Sequence, residues 1–236
     1  MIAFLTSSPG GCYEENGIEK HAPFSNANGF LDRLTSVWKE QAHCLLICAE
    51  PDNAAKNDKM SRLLLESFAL SGLSVGFWVL CDSRNETELS SLMSASDVVI
   101  LSGGHTLTQN RFFKRIGLKE HIQNFDGLLI GISGGSMNCA KIVYAQPEWE
   151  GDTTSPDYER FPEGLGLTDI MILPHYQLLK DQTVDGLRLI EDIALPDSVG
   201  RTIHAFPDGT YVLLQDGRRE IFGEDYVISD GTIQKL

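Results

Sequence analysis

Gly131-Ile132-Ser133-Gly134-Gly135 forms a G-x-S-x-G pattern at the end of the apolar run Leu128-Leu129-Ile130. In such a pattern a sharp strand-to-helix turn lifts a serine oxygen clear of a sheet, where it can attack a carbonyl carbon. Gly131 and Gly135 let the backbone pass closely on either side of the turn. Gly134 places an N–H directly after the serine, at the start of a helix-compatible segment, where a developing oxyanion could be held. A plain Gly/Ser-rich loop is the competing reading. The apolar run before the turn and the helix-compatible segment after it favour the nucleophile elbow.

A serine hydroxyl needs a base, and histidine is the usual one near neutral pH. The chain has six histidines. His21 and His43 lie in the N-terminal third, His121 falls in a helical segment, and His204 lies in a late strand. His105 sits in the Gly-Gly turn of Ser102-Gly103-Gly104-His105-Thr106, which suits contact with substrate better than proton transfer. His175 follows the run Ile172-Leu173 and Pro174, just past a strand end, and is the expected base. The Gly103-Gly104 turn is the expected second source of oxyanion donors opposite Gly134. Glu148, Asp152, Asp157 and Asp169 all lie between Ser133 and His175, and any of them could orient the imidazole. That chain order, serine then acid then histidine, matches the α/β-hydrolases. The polar run Gln109-Asn110-Arg111 is a candidate for binding a substrate carboxylate, against the plainer reading of a solvated helix N-terminus.

The elements that must position these groups read as an α/β protein. Strands are expected at Ile2–Thr6, Cys44–Ala49, Val75–Leu80, Asp97–Leu101 and from Leu128. Helical spacing follows from Phe30, around Met60 to Phe68, over Glu86–Ser94 and over Arg111–Gln123. Near-continuous apolar strands alternating with helices predict a mostly parallel sheet covered on both faces. Ser8 to Asn28 reads as a loop or a hairpin excursion. After the elbow, Gln146 to Leu165 is loop-like, Ile170 to Leu173 a short strand and Asp185 to Ile193 a helix. The turn signals Pro207-Asp208-Gly209, Gln215-Asp216-Gly217 and Ser229-Asp230-Gly231 predict a C-terminal antiparallel hairpin meander closing one edge of the sheet. No repeat or linker divides the chain, so residues 1–236 are expected to form one domain.

Taken together, the Gly-Gly turn, the elbow and Pro174-His175 resemble the peptidase E and cyanophycinase family of serine peptidases. That family has the class I glutamine amidotransferase-like, flavodoxin-like fold. Its usual motifs are G-G-G-N-T, G-x-S-A-G-A and P-H, and the resemblance spans roughly Ile2 to the Pro207-Asp208-Gly209 turn. It implies Ser133 as nucleophile, His175 as base, and Gly104 with Gly134, beside Gly103, as oxyanion donors. The family's acid falls about fifteen residues after the nucleophile, where this chain has Glu148. The family acts on dipeptides with an N-terminal aspartate or on β-aspartyl-arginine units, so a dipeptidase or exopeptidase with a preference near aspartyl residues is implied. His105 and Gly134 replace the family's asparagine and alanine, Asn138 marks a one-residue shift, and the loop to His175 is longer. These departures bear on substrate choice, with His105, Gln109, Asn110 and Arg111 as the expected substrate contacts. Glutaminases of this fold carry cysteine at the elbow; Cys139 lies six residues later and cannot take that place.

The composition excludes other classes. A net charge of −14 supplies no basic surface for nucleic acid. No basic amphipathic helix or long apolar stretch points to a membrane. The N-terminus lacks the basic segment and apolar length of a signal peptide. The five cysteines have no metal-like spacing and suit small buried hydrophobes in a reducing cytoplasm. No metal or organic cofactor is expected, the partner is a small peptide, and a homodimer stays open. An esterase using the same serine, or a non-catalytic ligand-binding domain, are the alternatives.

Overall fold

Apolar residues at every position of a strand require cover on both faces, and the structure supplies it in two helical layers. The structure is a computed structural model that describes residues 1–15 and 18–236. In the first half the strands are β1 (Ile2–Thr6), β2 (Gly10–Glu15), β3 (Ile18–Phe24), β4 (Ala42–Ile47), β5 (Val75–Cys81), β6 (Val98–Leu101) and β7 (Leu128–Ile132). The helices between them are α1 (Phe30–Val37), α2 (Ala54–Leu70), α3 (Leu89–Ser94), α4 (Thr106–Arg115) and α5 (Leu118–Gln123). After β7 come α6 (Gly134–Met137), β8 (Met171–Leu173) and α7 (Tyr176–Leu179). The hairpin β9 (Thr183–Val184) and β10 (Leu187–Arg188) follows, then β11 (Thr202–Ala205), β12 (Tyr211–Gln215), β13 (Arg218–Phe222), β14 (Tyr226–Ser229) and β15 (Thr232–Lys235).

The large sheet runs β13-β12-β1-β7-β6-β4-β5, parallel from β1 through β5, with β12 and β13 added antiparallel at one edge. Alternation along each strand divides the core. Ala3, Leu5, Leu45, Ile47, Val99, Leu101 and Leu129 pack with Phe112, Phe113, Leu118 and Ile122 of α4 and α5. Phe4, Cys44, Leu46, Val98, Ile100 and Ile130 face Phe30 and Leu34 of α1 and Leu64 and Phe68 of α2. Burying each such side chain contributes about 1.5–3 kcal/mol, so a one-residue slip in any strand would exchange the two faces and lose both contacts. The pattern that predicted a doubly covered sheet is therefore the pattern that fixes its register.

The C-terminal strands are antiparallel, as expected, but they are shared between two sheets. The β12–β13 hairpin, turning at Gln215-Asp216-Gly217, closes the edge beside β1. The β14–β15 hairpin, turning at Ser229-Asp230-Gly231, joins a second sheet of order β15-β14-β11-β8. In that sheet β8 and β11 are parallel, pairing Leu173 with Ala205. Pro207-Asp208-Gly209 is thus no hairpin turn: it carries the chain from β11 in the second sheet to β12 in the first.

Other elements depart locally from the sequence reading. The helix expected over Arg111–Gln123 begins earlier, at Thr106, and breaks at Gly117, whose φ of 62° is left-handed. The helix expected from Asp185 begins only at Leu189, because Asp185 (φ 52°) and Gly186 (φ 78°) turn the β9–β10 hairpin. Asp-Gly at a two-residue turn is the same hairpin signal that was recognised further along the chain. In the segment read as a loop or hairpin, β2 and β3 pair and pack on α2, where Ser67 Oγ donates to Gly11 O (2.6 Å); residues 16–17 between them lie outside the described residues. Among the described residues, no helix is long and apolar enough to cross a membrane.

At Gly135 the elbow runs against β6: a Cβ there would lie 2.3 Å from the Leu101 carbonyl oxygen. Backbone cannot yield as a flexible side chain would, so Gly135→Ala should lower unfolding free energy by at least about 2 kcal/mol in urea melts. Unchanged stability would mean that β6 and the elbow do not touch.

Candidate active site

The ends of β6 and β7 are paired, Leu101 with Gly131, so the Gly-Gly turn and the elbow leave the sheet side by side. A Cβ on Gly103 would come within 3.4 Å of Ser133 Cβ, and one on Gly134 within 2.5 Å of the Gly104 carbonyl oxygen. Gly104 has φ 147°, and a side chain there would collide with Ala49 Cβ. Only glycines let these two turns approach so closely. The structure therefore brings Gly103, Gly104 and Gly134 together around Ser133.

Ser133 has φ 50° and ψ −115°, outside the regions that ordinary L residues favour. The end of β1 holds it there. Ser133 N–H donates to Thr6 O (3.0 Å), Ser136 Oγ donates to the same oxygen (2.8 Å), and Thr6 Oγ1 donates to Gly131 O (2.9 Å). The post-elbow helix is only α6, with Asn138 after it. Cys139 is fully buried and its thiol donates to Gly135 O (3.2 Å), with burial pushing its pKa up. It has no access to the cleft chemistry expected of a nucleophile.

His175 lies two residues past β8, in a left-handed conformation (φ 59°, ψ 31°). Its Nε2 is 2.8 Å from Ser133 Oγ, and its Nδ1 is 2.7 Å from Asp208 Oδ1. The carboxylate facing the imidazole is thus Asp208, where Glu148 was the expected partner. Asp152, Asp157 and Asp169 are not there either: Asp152 accepts the Glu148 and Trp149 N–H groups, and Asp169 pairs with Arg219. Glu148 is engaged elsewhere: its Oε1 accepts the Thr106 N–H (3.0 Å) at the start of α4. Burial opposes the charged form of Asp208, but hydrogen bonding and charge from His175, with Ser7 and Gln177, hold its carboxyl below the ordinary value.

Ser7 is a part of the site that the sequence reading passed over. Its buried hydroxyl accepts the His175 N–H (2.8 Å) and lies 2.9 Å from Asp208 Oδ1 and 3.1 Å from Phe206 O, either of which it can donate to. Gln177 Oε1 accepts the Asp208 N–H (3.0 Å). Ser7 follows the first strand in the run Thr6-Ser7-Ser8-Pro9, a polar pair at a strand end, which was the only available signal.

The residues expected to touch substrate are mostly behind the site. Gln109 and Asn110 are buried in a polar network centred on Asn138. Asn138 Nδ2 lies 3.1 Å from Thr106 O, 3.1 Å from Gly134 O and 3.2 Å from Gln109 Oε1, while its Oδ1 accepts from Asn110 Nδ2 (2.8 Å). Gln109 Nε2 closes the network on Ser102 O (2.8 Å). The network spans the elbow and the Gly-Gly turn, so these side chains set the spacing between them instead of contacting a ligand. His105 caps α4, its Nδ1 accepting the Thr108 N–H (3.3 Å), and lies stacked under Trp149 with centroids 3.7 Å apart. Arg111 is exposed on α4 and does not line the cleft.

The cleft itself has a volume of about 110 Å³. Ser133, His175, Gly104, Thr106, Gln146 and Glu148 supply its polar lining. Met137, Leu173, Pro174 and Leu179 supply its apolar surface. Among the described residues, no cluster of three or more His, Cys, Asp or Glu side chains is arranged to hold a metal ion.

The model of peptidase family S51 matches residues 51–222, from the end of β4 through β13. No curated sequence matches the chain. A solved structure of a candidate peptidase E from Listeria monocytogenes EGD-e superposes with a TM-score of 0.62 at 15% identity, covering 93% of this chain and 96% of that one. At that identity the likeness speaks for the fold, while the family match covers well over half of the sequence and takes in the Gly-Gly turn, the elbow, His175 and Asp208. The chain belongs to peptidase family S51, a family of serine-type peptidases.

Proposed function

We propose that this chain hydrolyses short peptides, as a dipeptidase or exopeptidase, through Ser133, His175 and Asp208. The observation that carries the reading is the 2.8 Å approach of His175 Nε2 to Ser133 Oγ, with Asp208 2.7 Å behind Nδ1. As Ser133 Oγ bonds to the scissile carbonyl carbon, its proton passes to His175 Nε2. The N–H groups of Gly134 and of the Gly103-Gly104 turn receive the oxyanion. Asp208 keeps the Nδ1 proton on its side of the ring and stabilises the imidazolium. Collapse of the tetrahedral species transfers that proton to the leaving amine. Water, deprotonated by His175, then releases the acyl group and restores Ser133.

At about 110 Å³ the cleft lies below the usual range for ligand sites, about 300–1,000 Å³, which favours a peptide of a few residues over a folded substrate. The preference near aspartyl residues that the resemblance implies finds little support in its lining, whose ionisable side chains are Glu148 and His175.

A fluorophosphonate should label the protein at Ser133 and leave Ser133→Ala unlabelled. Absent or equal labelling would remove the nucleophile from this account. Turnover of simple esters with all dipeptides untouched would make it an esterase. Asp208→Asn should lower kcat by roughly 10³–10⁴, in line with loss of a triad acid. A near-normal rate in that variant would return the role to another carboxylate.

Ser7→Ala takes away the hydroxyl that accepts from His175 N–H and faces Asp208. Its expected effect is a loss of about tenfold to a hundredfold in kcat with a smaller change in KM, because misplacing a reacting group costs rate more than binding. Equal losses in stability and rate, restored together by Ser7→Thr, would instead mark Ser7 as a structural link.

A further inference from the structure

We infer that Glu148 selects substrates by charge, and that the cleft takes a peptide whose aliphatic ammonium group reaches this carboxylate. The inference rests on the reading of Ser133 as the nucleophile, since it assigns the wall next to it.

Glu148 is anchored, not loose. Its Oε1 accepts from Thr106 N–H at the first position of α4, a ten-residue helix whose N-terminus favours a negative group. Its own N–H and that of Trp149 both donate to Asp152 Oδ2 (3.0 and 2.8 Å). Trp149 in turn lies flat on His105, with the rings 11° from parallel, and His105 caps the same helix. The tip of the β9–β10 hairpin fastens the far side of this loop: Asp185 accepts from Gly151 N–H (2.7 Å), Thr153 N–H (3.1 Å) and Thr153 Oγ1 (2.6 Å). These contacts fix the loop, and the Thr106 N–H fixes the carboxylate, at a cleft that also contains Ser133. Glu148 is exposed, with its Oε1 on Thr106.

The surroundings set the sign of the partner. The residues lining the cleft include no lysine or arginine. Glu150 and Asp152 share the loop with Glu148, and the whole chain carries a net charge of −14. A ligand carboxylate at this wall would meet like charge, whereas an ammonium group would gain a charge-assisted hydrogen bond and be steered inward. Met137, Leu173, Pro174 and Leu179 offer an apolar surface on which the methylenes of a lysine-like stem can lie while the charged end reaches Glu148. The same chemistry could come from a basic side chain or from the α-ammonium of a peptide, and the experiment separates the two.

The Ser133→Ala protein, which cannot turn a peptide over, is titrated calorimetrically with four dipeptides: N-acetyl-lysyl-leucine, norleucyl-leucine, N-acetyl-norleucyl-leucine and N-acetyl-aspartyl-leucine. At least one of the first two should bind tenfold or more tightly than N-acetyl-norleucyl-leucine, and N-acetyl-aspartyl-leucine should bind most weakly. Preference for the first assigns the basic side chain; preference for the second assigns the α-ammonium. Adding Glu148→Gln should erase the tenfold discrimination, and adding Glu148→Lys should move the preference to the aspartyl peptide. Equal or undetectable binding of all four, tightest binding of the aspartyl peptide, or discrimination that survives both Glu148 variants overturns the inference. Fluorophosphonate labelling of the wild-type protein reads the nucleophile separately. A labelled protein without cation preference overturns this inference alone, and an unlabelled protein with that preference overturns only the peptidase reading.

Discussion

Two residues at the end of the first strand hold the two halves of the site against each other. Thr6 O receives the N–H of Ser133 and the hydroxyl of Ser136, so the elbow is pinned from the large sheet. Ser7 receives the N–H of His175 and faces Asp208, so the second sheet is pinned one residue later. A serine at φ 50°, ψ −115° costs on the order of 1–3 kcal/mol and persists only where its surroundings over-determine it. Here the determinants are the Thr6 carbonyl, the parallel pairing of β1 with β7, and glycine at Gly131, Gly134 and Gly135, where a Cβ would strike neighbouring atoms.

Each half is itself a pair of adjacent parallel strands. In the large sheet β6 and β7 end together and deliver the Gly-Gly turn and Ser133. In the second sheet β8 and β11 end together, and their continuations deliver His175 and Asp208. Parallel neighbours emit their following loops in the same direction, which is why ligand sites gather at the carboxyl ends of such sheets. Ser133 with the Gly-Gly turn is one unit and His175 with Asp208 is another. The hydrogen bond between Ser133 and His175 is where the units meet, and its geometry depends on how the sheets are docked through Thr6 and Ser7.

This construction explains what was legible in the sequence. Apolar strand runs, the glycines of the elbow and Pro174-His175 are local signals, and each led to the right element. Asp208 is not local in that sense. It sits in one of several Asp-Gly turns of the tail, and nothing in Pro207-Asp208-Gly209 distinguishes a hairpin from a crossing between sheets. Only the tertiary pairing of β11 with β8 puts it beside the imidazole. The expected order is serine, acid, histidine, whereas the residues in contact run serine, histidine, aspartate along the chain; such a constellation is defined by geometry and not by chain order. Gln109 and Asn110 misled for a related reason. Polar residues in the first turns of a helix near a site suggest ligand contacts, but here they face inward to satisfy Asn138 and the backbone oxygens of two glycine-rich turns.

With Asp208 facing His175 Nδ1, Glu148 is a second carboxylate lining the cleft. It is exposed and keeps its hydration, and the start of α4 adds a hydrogen bond from Thr106 N–H. A carboxylate held by the Thr106 N–H, on a loop tied to Asp185, is unlike an incidental surface charge, whose side chain would sample many rotamers. Glu150 and Asp152 share that loop, so its charge is all negative. In the proposed mechanism Asp208 acts through His175 on the activation of Ser133 while Glu148 acts on what reaches it, so the two acids divide the tasks of reaction and selection.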